Sequence, residues 1–361
     1  MRSPGEIWEG RRLCLAELRG SRAAVERWLR ACGAIPQARW TKATALVVVE
    51  DGAGAEVRSR VEVIEVTALQ RALLAALTPS AQARLARLRA LLDAGRGSAW
   101  DAACGLLDLW RDRPGWKRAI HLLNAEASIA EGLRRAPEEW ILRVLDGRTE
   151  PRLRVVRVVE WGRGGLRLEE IERLAACRDL GGVAALHLER GAIGPAGLGA
   201  LVSTPNLRGL RELWVRANRV GDEGVAALVR SSRLRQLRVL DLGDNGLSIA
   251  GAGAIAGAEG LASLAALDVS DNAIGLEGAR LLLRSPHLRG LERLSLSLAD
   301  EAIVALAGDP ALANLDRLEF LEFNRTGGGA YGLAPPVVAA LRASPYVTAR
   351  VRARVLAEPV A

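Results

Sequence analysis

The sequence predicts an α/β chain: a solenoid of strand-turn-helix units forming a curved parallel sheet, preceded by a small α/β domain and a helical connector. Three observations carry that expectation. Segments of the form LxxLxLxxN start at Val183, Leu210, Leu237, Leu264 and Leu291, 27 residues apart each time. After each comes a turn glycine, an apolar run at helical spacing and a stop such as Ser-Pro. Residues 8–77 follow a different order, in which short apolar runs alternate with an amphipathic stretch.

Within each unit, apolar fourth and sixth positions alternate with polar neighbours, as in a short strand with one buried face. The ninth position is Asn218, Asn245 and Asn272 in the central units. An amide there satisfies backbone groups that have left the strand ladder, so the three are expected to stack as a structural ladder ending at Gly191 and Ala299. Degenerate units begin at Leu153, 30 residues before the first, and at Leu315, 24 residues after the last. One such unit cannot bury its own apolar edge; stacking buries it. "YVTARVRARVL", Tyr346–Leu356, alternates Arg350, Arg352 and Arg354 with Val351, Ala353 and Val355. That alternation predicts a capping strand, with residues 348–361 as strand and tail. "NRTGGGAYGLAPP" lacks the Lys-Ser/Thr of a phosphate loop and reads as an insertion.

These units resemble leucine-rich repeats of the ribonuclease-inhibitor-like class, which includes Ran GTPase-activating protein and the sensor arms of NOD-like receptors. The LxxLxLxxN positions and the helix entry "GDEGVAAL", Gly221–Leu228, carry the resemblance over about residues 151–347. It implies a binding surface rather than a reaction.

In residues 8–77, "RRLCLAEL", "TALVVVED" and "VEVIEV" read as strands. "SRAAVERWLRACG" is a helix with a Ser cap and a closing Gly33, and "TALQRALLAAL" is a second helix after Thr67. The order implies a parallel sheet. The layout resembles a BRCT domain of the kind appended to bacterial NAD-dependent DNA ligases, on Gly33, on Trp40–Asp51 and on Thr44 within it. It departs from the family where phosphopeptide-binding members have Ser/Thr-Gly: here stand Ala16 and Glu17, and Leu69 replaces the aromatic of the last helix. A carboxylate there repels phosphate, so no phosphate site is carried over. Residues 78–150 read as helices that link the domains and cap the solenoid, with Trp100, Trp110, Trp116 and Trp140 as core.

Composition narrows the function classes. The longest aliphatic stretch, Leu46–Val49, is far short of a membrane span and no leader is evident, so a cytoplasmic protein is expected. Cysteines 14, 32, 104 and 177 form no CxxC pair, which argues against zinc and thioredoxin-like chemistry. The net charge of +8 is spread as +3, +2 and +3 over residues 1–77, 78–150 and 151–361, without a concentrated basic segment. His121, His187 and His287 fall in unrelated elements, and no nucleophile elbow, HExxH or phosphate loop is present. The expectation is a protein that is not an enzyme and carries no cofactor and no metal.

Equivalent positions on successive strands are neighbours about 4.8 Å apart. The fifth position gives the column His187, Trp214, Asp241, Asp268 and Ser295; the seventh gives Glu189, Arg216, Gly243, Ser270 and Ser297; the eighth gives Arg190, Ala217, Asp244, Asp271 and Leu298. On the concave face this predicts an aromatic and cationic end at Arg190, Arg211, Trp214 and Arg216. An acidic middle follows at Asp241, Asp244, Asp268 and Asp271. Carboxylates about 5 Å apart repel by only about 1 kcal/mol in water, so no metal is demanded. The expected function is an adaptor or scaffold binding an unidentified protein partner on that face. A DNA-associated accessory factor and a GTPase regulator are the alternatives; the oligomeric state is unspecified.

Overall fold

The computed structural model describes residues 12–17, 22–31, 35–37, 46–49, 62–65, 85–88, 90, 99–110, 116, 119–120, 123, 134–162, 164–314, 320–324 and 334–357. They form two compact units, Met1–Glu139 and Trp140–Ala361.

The first unit holds a parallel sheet in the order β2-β1-β3-β4, formed by β1 (Arg12–Glu17), β2 (Ile35–Gln37), β3 (Leu46–Val49) and β4 (Glu62–Glu65). Strand β2, three residues long and carrying Pro36, was not foreseen; it pairs at the sheet edge, where a missing N–H is tolerated. Helix α1 (Arg22–Ala31) buries Val25 and Leu29. It lies so close to α2 (Ala99–Trp110) that a Cβ on Gly105 would fall 2.1 Å from the Arg27 carbonyl oxygen. The buried Arg27 guanidinium pairs with Glu139 at 2.6 Å and lies 3.7 Å from Asp108. Trp100, Trp110 and Trp116 are core. The helix expected at Thr67–Leu77, the Thr44 turn, Gly33 and Leu69 lie outside the described residues.

Trp140, the first residue of the second unit and part of α3 (Glu138–Leu145), is buried, and the Arg152 guanidinium sits 4.6 Å over its ring. Seven parallel strands follow in chain order across the sheet. They are β5 (Val158–Glu160), β6 (Ala185–His187), β7 (Glu212–Trp214), β8 (Val239–Asp241), β9 (Ala266–Asp268), β10 (Arg293–Ser297) and β11 (Phe320–Asn324). Helices stand between them: α4 (Leu168–Ala176), α5 (Gly194–Ser203), α6 (Gly221–Arg230), α7 (Ile249–Ala256), α8 (Gly275–Arg284) and α9 (Asp300–Ala307). The fourth- and sixth-position residues Leu213, Val215, Leu240, Leu242, Leu267 and Val269 are at most 1% exposed, which makes this column the core.

The asparagines form the ladder their spacing predicts. Asn245 Oδ1 accepts from the N–H groups of Asn218 (3.0 Å) and Val220 (3.2 Å), while Nδ2 donates to the carbonyls of Val215 and Gly243. Asn218 does the same for Gly191 and Ile193, and Asn272 for Asn245 and Leu247. A second ladder was not foreseen. At the helix exits, Thr204, Ser231 and Ser285 each accept from the N–H two residues on, and the first two open a short 3-10 turn. The same hydroxyls donate to the carbonyls of Ala175, Val202 and Ala256 in the preceding unit. Asp309 takes the equivalent place: its carboxylate accepts from Ala311 N–H and from Arg280, and both bonds hold its pKa below the ordinary value. Ala258 leaves the one gap between Ser231 and Ser285.

The capping strand expected over Tyr346–Leu356 is instead helix α11 (Ala349–Ala357), which follows α10 (Pro335–Ala343). Val347, in the bend before the helix, and Val351, in its first turn, are both buried. Thr348 Oγ1 accepts from Val351 N–H, capping the first turn, and Arg352 donates to the Val347 carbonyl.

Candidate binding face

The face of the sheet opposite the leucine core has the predicted register: His187, Trp214, Asp241, Asp268 and Ser295 pair in succession across β6 to β10. The rings of His187 and Trp214 lie 5.4 Å apart, tilted at 45°. The register thus places an aromatic pair at one end of the face.

The aspartates do not form the uniform acidic middle that was expected. Asp241 is 5% exposed rather than a surface group. Its Oδ1 accepts from Gly243 N–H at 2.8 Å, and burial, aided by the nearby Asp268, pushes its pKa from 3.8 up to about 6 despite that bond and Arg216. Asp268 is half-buried, and its Oδ1 accepts from both the N–H and the hydroxyl of Ser270. Asp244 and Asp271 are exposed at φ of 52° and 55°, the left-handed conformation that Asp adopts more readily than most residues. Arg190 and Ala217 take the same conformation in the two units before Asp244. The eighth-position column is thus a row of turn residues, two of which are aspartates for a conformational reason. Leu298, at its far end, is buried.

Arg216 crosses from β7 to the second strand along, β9. Its guanidinium pairs with Asp271, donates to Ser270 Oγ at 3.0 Å and lies 3.8 Å from Asp268. The path is open because the intervening seventh position is Gly243, where a Cβ would fall 2.2 Å from Arg216 Nη1. Arg216 of the predicted cationic end is therefore joined to Asp268 and Asp271 of the acidic middle. Arg211 is not part of it: it precedes β7 and lines a depression at the strand-entry edge with Arg235 and Arg238. Arg190 is exposed on its turn. Sequence reasoning missed the crossing, although a lone glycine in a column of side chains was its signal.

Among the described residues, no group of three or more His, Cys, Asp or Glu side chains is placed to hold a metal ion, and no helix is long and apolar enough to cross a membrane. Cys104 is buried as a free thiol, and burial raises the pKa of the free Cys177.

A search of curated proteins finds no match. Among solved structures, the chain is similar to the actin-binding site 2 of leiomodin-1, at 14% identity over 57% of this chain and 89% of that one, with a TM-score of 0.24. It is also similar to an internalin from Listeria monocytogenes, at 17% identity over 49% of this chain and 63% of that one, again with a TM-score of 0.24. A plant peptide hormone receptor in complex with its peptide gives 16% identity over 49% and 30%, with the same score. Likenesses this distant carry no weight for fold or function. The family described as Leucine Rich repeat matches residues 208–229, 234–256 and 257–283, the stretch in which the asparagine ladder and the strand register are continuous. The chain carries leucine-rich repeats.

Proposed function

We propose that this protein is a non-enzymatic interaction module, an adaptor or scaffold, whose leucine-rich repeats bind a protein partner on the strand face around Trp214. The observation that carries the reading is the fixed network on that face. Half-buried Trp214 rests against His187, and Arg216 is already held by Asp271 and Ser270 before any partner arrives. Trp and Arg are the side chains that most often carry interface energy, and a preordered surface loses little entropy on binding. Asp268, Asp271, Asp244 and Arg190 supply the polar surround; Asp241, being buried, acts as a support.

The repeats fit the ribonuclease-inhibitor-like class in their 27-residue period, and we assign residues 8–77 to a BRCT-like domain on its strand and helix order. The free thiols of Cys104 and Cys177 suit a reducing compartment, and we place the protein in the cytoplasm. Capture of a partner from lysate tests the reading. Trp214→Ala, or Asp268→Arg with Asp271→Arg, is expected to abolish capture while thermal unfolding shifts little. Capture that survives both changes moves the binding surface elsewhere.

A further inference from the structure

The solenoid sets arginines of separate repeats side by side. Along the edge from which the parallel strands start, Arg208 and Arg211 precede β7, Arg235 and Arg238 precede β8, and Arg289 precedes β10, all of them exposed. Arg230, Arg233, Arg235 and Arg238 form one short basic stretch in the sequence, and the repeat length of 27 residues brings Arg208 and Arg211 beside it. In the unit between, the equivalent positions are Ala262 and Ala265. The row of long side chains is broken there by a depression of about 460 Å³. Arg211, Arg235 and Arg238 line it, and Glu292 is the one carboxylate among its lining residues. Arg235 and Arg238 have no ion-pair partner among the described residues.

We infer that this depression docks an acidic polypeptide segment whose carboxylates pair with Arg235 and Arg238. The guanidinium fork matches a carboxylate with two parallel hydrogen bonds. Small residues leave room for a chain to approach the edge. A nucleic acid fits less well: a duplex presents one charge every ~1.7 Å of its axis, whereas Glu292 lines the depression and Glu212 opens β7 beside Arg211. No aromatic side chain lines the depression to stack a base. The inference concerns a surface distinct from the strand face and stands without that face being a binding site.

Fluorescence anisotropy with labelled oligoglutamate and the full chain tests it, with oligoglutamine and a short DNA duplex as comparison probes. The expected result is binding of oligoglutamate at about 50 mM salt that weakens as salt rises. Arg235→Glu with Arg238→Glu should weaken it about tenfold or more, and Trp214→Ala should leave it unchanged. Ala262→Glu adds a repelling carboxylate at an exposed position and should weaken it as well; it decides the matter if the double variant does not fold. Failure of oligoglutamate to bind overturns the inference, as does binding that survives both sets of changes. Tighter binding of the duplex than of oligoglutamate, or loss of peptide binding in Trp214→Ala, also overturns it. The Trp214→Ala arm separates failure of this inference from failure of the strand-face reading.

Discussion

Arg216 reaches Asp271 two repeats along the sheet, passing over a strand whose seventh position has no side chain. Gly243 is thus the condition for the pair. Gly243→Val should displace the guanidinium, and in a half-exposed setting the pair itself contributes less than about 1 kcal/mol. A double-mutant cycle between Arg216→Ala and Asp271→Asn should give measurable coupling with Gly243 present and none once Gly243→Val is introduced. Equal coupling in both backgrounds would show that the glycine is incidental.

Asp241 sets a pH dependence of defined sign. Burial raises its folded pKa to about 6 from 3.8, so between those values the native state holds a proton that the unfolded chain releases. Stability is therefore lost as pH rises through that window and levels off above it, the loss amounting to about 3 kcal/mol. Asp241→Asn should raise stability at neutral pH by up to that amount, with the gain vanishing towards pH 4. Urea unfolding of both proteins across the window measures the difference; a gain independent of pH would contradict the assignment.

Ser285 and Ala258 make opposite predictions at equivalent positions. Ser285→Ala removes a cap and a bond to the preceding unit, and should destabilise by about 1–2 kcal/mol. Ala258→Ser supplies the missing hydroxyl opposite the Val229 carbonyl and should stabilise by about 0.5–1 kcal/mol. Thermal unfolding of the two variants checks both signs.

Asn245→Leu strips partners from two N–H groups and two carbonyls at once. A loss of at least about 3 kcal/mol is expected in denaturant unfolding, because buried backbone groups cannot turn to water. A loss under about 1 kcal/mol would mean that the ladder is decoration.

The repeats were legible because a fixed period multiplies a weak signal: Leu213, Leu240 and Leu267, and the asparagines five residues after each, recur in step and are buried in step. Features that depend on what lies one strand away were not. Asp241 looked like Asp268 in sequence, yet its neighbours bury it. Arg216 looked like a free cation until Gly243 opened its path. The arginine edge needed the stacking of repeats to be seen, because Arg208 and Arg211 come beside Arg235 and Arg238 only across a 27-residue period. At Tyr346–Leu356 the alternation of Arg350, Arg352 and Arg354 suggested a strand, whereas Thr348, whose hydroxyl accepts from Val351 N–H, caps a helix from Ala349.

The central claim, that the strand face is the binding surface, is tested most directly by hydrogen exchange of the full chain with and without its captured partner. The account predicts new protection at Trp214–Asn218, Asp241–Asn245 and Asp268–Asn272. Protection confined to the helices Gly221–Arg230, Ile249–Ala256 and Gly275–Arg284 would contradict it.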